Sequence, residues 1–162
     1  EDLIALNPYA SIPTLTDREL VIYDSGVIIE YLDERYPHPP LMPVSPVDRA
    51  KIRLALVSLE SDIVSTAIEL DGALGTKNEN SLRKKLKSML NSSLDLFSAN
   101  NYFLNDELTV IDCVLAPILW RLGYFGISLG SEHKAIKNYM ELVFSRETFQ
   151  NSLSEDEEEM HL

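Results

Sequence analysis

The stretch SIPTLTDRELVIYDSGVIIEYLDERYP, residues 11–37, decides the fold class. Ile12–Leu15 and Leu20–Tyr23 are short β-prone pieces on either side of a polar turn at Thr16–Glu19, the pattern of a hairpin. Ser25 stands where a helix N-cap belongs. Behind it, Val27, Ile28, Tyr31 and Leu32 share one helical stripe. Pro37 stops that helix, because the residue before a proline is pushed out of the α region. The reading is β-β-α.

Outward from this unit the pattern changes. ERYPHPPLMP, residues 34–43, holds four of the eight prolines and one of the three histidines. Beyond it every segment has helical period. Asp48 to about Leu74 carries Ile52, Ala55, Leu56, Leu59, Ile63, Ala67 and Leu70 on one stripe. Glu79–Phe97 carries Leu82, Leu86, Met89, Leu90, Leu94 and Phe97. Thr109–Leu122 is the most apolar helix, and Ser131–Phe144 adds another. The acidic tail after Ser154 reads as a short final helix or a frayed end. The expected division is residues 1–36, a proline-rich linker at 37–47, and a helical domain at 48–162.

Composition narrows the function. The formal charge is −12, from 26 acidic and 14 basic residues. A phosphate backbone demands clustered cations, and the densest cluster here, Arg83-Lys84-Lys85-Leu86-Lys87, is short. Direct nucleic-acid and membrane binding are not expected; a basic protein surface suits this charge better. One cysteine, Cys113, gives no disulfide framework and fits a reducing, cytoplasmic setting. His38, His133 and His161 lack metal-ligand spacing, and no Gly-rich loop is present to cradle phosphate. No metal or cofactor is expected.

In LTVIDCVLAPILWRL, residues 108–122, Thr109 at the N-cap and Asp112 at N3 form a capping box with Asp in place of the usual Glu or Gln. On so apolar a helix the box implies burial at the centre of the domain. Pro117 is expected to interrupt the helix and kink it.

IPTL, DSGVIIEYL, the proline-rich passage and TVID together resemble the glutathione-transferase superfamily. YLDERYPHPPLMPVSPVDRAKIRL and DCVLAPILWRLGYFGI are similar to a narrower branch of it, bacterial proteins associated with RNA polymerase. The resemblance runs over essentially the whole chain. It implies a glutathione-transferase-like, mostly helical α+β fold: a partial thioredoxin-like domain followed by an all-α domain. The chain opens at EDLIALNPYASIPTL without an initiator Met, and by the resemblance roughly 45 residues of strand, helix and strand would precede it. Pro13 matches the superfamily's cis-proline.

Three functional expectations follow from the resemblance. In the superfamily an acidic residue and a serine at the start of the helix hold the γ-glutamyl end of glutathione; Asp24 and Ser25 match that pair, with Pro13 nearby. A helix N-terminus does suit a carboxylate, although Asp24 and Ser25 serve equally as helix cap and dipole partner. The activating Tyr, Ser or Cys would lie before Glu1, so this chain holds no assembled catalytic site. In the narrower branch the Pro-His-Pro motif is a functional surface. Pro37, His38 and Pro39 stand in its positions, with Tyr36 and Leu41 beside them. The preferred reading is therefore a non-enzymatic transcription regulator that binds RNA polymerase and its sigma factor under starvation or acid stress. A glutathione-binding protein or glutathione transferase is the alternative. A histidine's ordinary pKa of ~6.5 would let His38 gain charge in acid. The third expectation is a homodimer held by the helices that start near Asp48 and Glu79.

Overall fold

A computed structural model describes residues 2–160. The chain divides into two units, one ending at Pro43 and one beginning at Val44.

The first unit is the expected β-β-α piece with a short helix before it. Strand β1 (Thr14–Asp17) runs antiparallel to β2 (Leu20–Tyr23), pairing Thr14 with Tyr23 and Asp17 with Leu20. The first strand thus starts two residues later than expected, and the turn shrinks to Arg18-Glu19. Pro13 has no N–H to extend the ladder, while Thr16 and Asp17 find partners in Val21 and Leu20. Arg18 takes φ 56°, the positive φ that two-residue hairpin turns use to match strand twist. Helix α1 (Asp2–Leu6) was not foreseen; at five residues it has too little periodicity to read. Behind it, the fully buried Asn7 donates from Nδ2 to Ser11 O, Ser11 Oγ and Thr14 Oγ1 at 3.1, 2.9 and 3.0 Å. Its Oδ1 accepts from Tyr9 N at 2.9 Å, so one amide fixes the whole approach to β1.

Helix α2 (Ser25–Arg35) corrects the expected cap. Asp24, not Ser25, is the N-cap; its Oδ1 accepts from Gly26 N at 2.9 Å and Val27 N at 3.2 Å. Asp24 sits at φ 78°, which aims its carboxylate back at the first turn, and Ser25 becomes the first helical residue.

Among the described residues the second unit is helical apart from its turns, loops and one isolated bridge. Helix α3 (Pro46–Leu59) starts two residues before the expected Asp48, inside the stretch read as linker. Ser45 caps it, and Pro46 occupies the first turn, where a missing N–H costs nothing. A π turn, Glu60–Val64, joins it to α4 (Ser65–Gly72). The expected helix over 79–97 is split into α5 (Glu79–Ser92) and α6 (Leu94–Ala99). At the break, the Ser92 and Ser93 hydroxyls donate to Ser88 O and Met89 O, both at 3.0 Å, and such back-bonding competes with the helix ladder.

Helix α7 (Val110–Trp120) forms the centre, and Pro117 lies within it without ending it. A short 3-10 turn, Ser131–His133, leads into α8 (Lys134–Phe144), followed by α9 (Glu147–Gln150) and α10 (Glu155–Glu159). Leu70, Leu86, Leu90, Ile111, Leu115, Leu119 and Ile136 are inaccessible to solvent. Of the two readings of the tail, the helix holds, and it is docked. Trp120 Nε1 donates to Glu157 O and Arg121 Nη2 to Glu157 Oε1, both at 2.7 Å. The Ser154 N–H and hydroxyl, with Arg121, hold the Glu157 carboxyl below its ordinary pKa.

The capping box is present: the Thr109 N–H donates to Asp112 Oδ2 at 2.7 Å, and Thr109 Oγ1 accepts from Ile111 N. Asp112 is fully buried and gathers more than the box. Its Oδ1 accepts from Phe103 N at 3.0 Å and from the Tyr139 hydroxyl at 2.8 Å. One carboxylate therefore ties the loop before α7, the start of α7 and the middle of α8 together.

Candidate functional site

Helix α2 ends where its ladder meets the prolines. Tyr36 closes it by donating to Leu32 O at 2.9 Å, and His38 N donates to Tyr36 O at 2.9 Å. Leu41 N donates to Asp33 Oδ1 at 2.6 Å. Residues 36–41 own no other backbone N–H, since 37, 39 and 40 are prolines. Every main-chain donor of the segment is thus committed within its own unit, and what it offers outward is side chains and carbonyls. Tyr36 is 65% exposed. Pro37, His38, Pro39 and Pro40 are exposed, and Leu41 is half-buried. The His38–Pro39 peptide is cis.

The base of the segment is braced by residues that carry no site signature in the sequence. The Arg35 guanidinium lies over the Tyr36 ring, 5.4 Å from its centre. Its Nε is 4.0 Å from Asp17 Oδ2, which also accepts the Tyr31 hydroxyl at 2.5 Å. That bond to Asp17 raises the Tyr31 pKa. An acidic residue in the last turn of a helix is opposed by the helix dipole. Asp33 and Glu34 both stand in that turn beside the prolines, so the sequence does not single out Asp33 as the brace.

Pro13, Asp24 and Ser25 gather at one end of the hairpin. The Thr14–Tyr23 pair puts Pro13 and Asp24 one step further along on facing strands, and the Ile12–Pro13 peptide is cis, as expected. All three are exposed. The Asp24 carboxylate, however, already satisfies two N–H groups of the α2 first turn that an incoming carboxylate would use.

Two members of the basic cluster, Arg83 and Lys87, are engaged inside the second unit, while Lys84 and Lys85 are exposed. Arg83 Nε donates to Phe125 O at 2.6 Å, Arg83 pairs with Glu79, and Lys87 Nζ donates to Ser128 O at 2.8 Å. The Gly75 N–H, with Arg83, holds Glu79 below the ordinary carboxylate range. His133 is buried, with Nδ1 accepting from Gly130 N and Nε2 paired with Asn91 Oδ1. His161 lies outside the described residues. Among the described residues no group of three His, Cys, Asp or Glu side chains could hold a metal, and no helix is long and apolar enough to cross a membrane.

The comparisons define the class first. The family model "Glutathione S-transferase, N-terminal domain" matches residues 1–40, and "Glutathione S-transferase, C-terminal domain" matches residues 54–147. The solved structure of a sphingomonad glutathione S-transferase complexed with glutathione superposes with TM-score 0.84 at 20% identity, over 98% of this chain and 79% of that one; at that identity it speaks for the fold alone. Relatives in sequence are more specific. A stringent starvation protein A homolog of Haemophilus influenzae is 47% identical over 157 residues, 96% of this chain and 73% of the relative. One from Coxiella burnetii is 44% identical over 162 residues, 99% of this chain and 77% of the relative. The chain belongs to the stringent starvation protein A family, within the glutathione S-transferase fold.

Proposed function

We propose that this protein is a non-enzymatic transcription regulator that docks on RNA polymerase, with its sigma factor, through the surface formed by Tyr36, Pro37, His38, Pro39 and Leu41. The observation that carries the reading is the Tyr36–Leu41 segment itself. It is outward-facing, yet its backbone donors are used up and its prolines leave little conformational entropy to lose on binding. Tyr36 and Arg35 add the residue types that most often dominate binding energy. The net charge of −12 favours encounter with a basic partner surface.

The test compares the full-length protein with His38→Ala for retention of RNA polymerase holoenzyme and for glutathione conjugation. Retention is expected to fall at least tenfold in the variant, with no conjugation by either protein. Conjugation without retention would overturn the reading.

Glutathione binding at Pro13, Asp24 and Ser25 is the second reading, favoured by their shared place at the hairpin end and weakened by the commitment of Asp24 to capping. A second copy of the chain suits the helical unit. Val47, Leu54, Val57 and Ile68 are exposed at helical spacing. They share the α3–α4 run with a cavity of about 310 Å³ lined by Ala55, Leu59, Ile63, Met89, Leu96 and Phe103. Light scattering on the full-length protein should then give twice the chain mass.

A further inference from the structure

We infer that Asp33 is the positioning residue of the Tyr36–Leu41 surface; the inference rests on the docking reading above. Asp33 sits in the last turn of α2 and is only 8% exposed. For the helix alone this is a poor choice, since both the dipole and burial disfavour a carboxylate there. Its compensation comes from the loop: Oδ1 accepts the Leu41 N–H at 2.6 Å, a short charge-assisted bond that spans the prolines.

The bond closes the segment at its far end, while the Tyr36 N–H to Leu32 O bond closes the near end. Between these two ties, Pro37, Pro39 and Pro40 restrict the backbone, and the His38 N–H to Tyr36 O bond fixes the remaining donor. Proline rigidity alone sets local angles. It does not fix the direction in which the segment leaves the helix, and the Asp33–Leu41 bond supplies that constraint. Asp33 therefore acts on recognition without touching the partner.

The experiment measures two quantities on the full-length protein: exchange of the Leu41 amide by NMR, and retention by immobilised RNA polymerase holoenzyme. Asp33→Ala, Asp33→Asn and His38→Ala are compared with the wild type. In the wild type the Leu41 amide should be protected. Asp33→Ala should accelerate its exchange and lower retention, each at least tenfold. Asp33→Asn keeps a carbonyl acceptor and should restore both to within about threefold. An unprotected Leu41 amide in the wild type overturns the inference even if Asp33→Ala fails to fold. So does full retention by a folded Asp33→Ala alongside loss in His38→Ala, which leaves the docking reading standing. Full retention by His38→Ala overturns the docking reading and the positioning role with it.

Discussion

Replacing Asp112 with Ala should cost the helical unit on the order of 3–5 kcal/mol. The variant strands the Phe103 N–H, the Thr109 N–H and the Tyr139 hydroxyl in a site closed to water. Each buried donor left without a partner costs ~1–3 kcal/mol, and loss of the cap adds to this. Against a total stability of ~5–15 kcal/mol for an ordinary domain, that fraction is large. Urea unfolding followed by the fluorescence of Trp120, the sequence's one tryptophan, reads it. Tyr139→Phe should cost less, ~1.5–3 kcal/mol, because it removes a single bond, made to a charged group.

The same pair sets an alkaline limit. Burial, and then the Asp112 carboxylate, push the Tyr139 hydroxyl well above its ordinary pKa of 10.0. The folded state keeps a proton that the unfolded state gives up, so this contribution is fully present below about pH 10 and declines as pH rises above it. Tyr139→Phe should show a shallower loss of stability in that range.

Phe97→Ala should cost about 3–5 kcal/mol by loss of buried area and creation of a cavity. Phe97 is buried and meets Phe103 and Tyr139 edge-on, with ring centres 4.9 and 5.1 Å apart. Such aromatic pairs add ~0.5–1.5 kcal/mol each beyond the area they bury. Since Phe103 and Tyr139 are also partners of Asp112, the two losses should not add. Asp112→Ala with Phe97→Ala should fall short of the sum by a coupling of ~0.5–3 kcal/mol. Additive costs would mean that the aromatic cluster and the carboxylate stabilise the unit independently.

How far the sequence could be read depended on distance along the chain. The Thr109–Asp112 box spans three residues, so both partners stood in one window and the arrangement could be named. That Asp112 also takes the Phe103 N–H and the Tyr139 hydroxyl, 9 and 27 residues away, had no sequence signal. The cap of α2 was missed by one residue because Asp and Ser are near-equal caps, and only the backbone at Asp24, with φ 78°, chose between them. The break at Ser93 was missed because the apolar stripe continues across it.

In the candidate site, the exposed residues were legible as a proline-rich stretch with one histidine. Their support was not: Asp33, Arg35, Tyr31 and Asp17 read as ordinary helix and strand positions.

The sequence by itself determined the β-β-α start, the helical remainder, the proline punctuation and the family resemblance. Each of these rests on local periodicity, turn chemistry or contiguous motifs. Only the tertiary structure decided that Asp33 reaches across the prolines to Leu41, that Asp112 joins three segments, and that the tail docks through Glu157. Those choices are hydrogen bonds of buried or half-buried polar groups to partners distant along the chain. Their physical basis, desolvation met by a well-placed donor, has no meaning until the chain has folded.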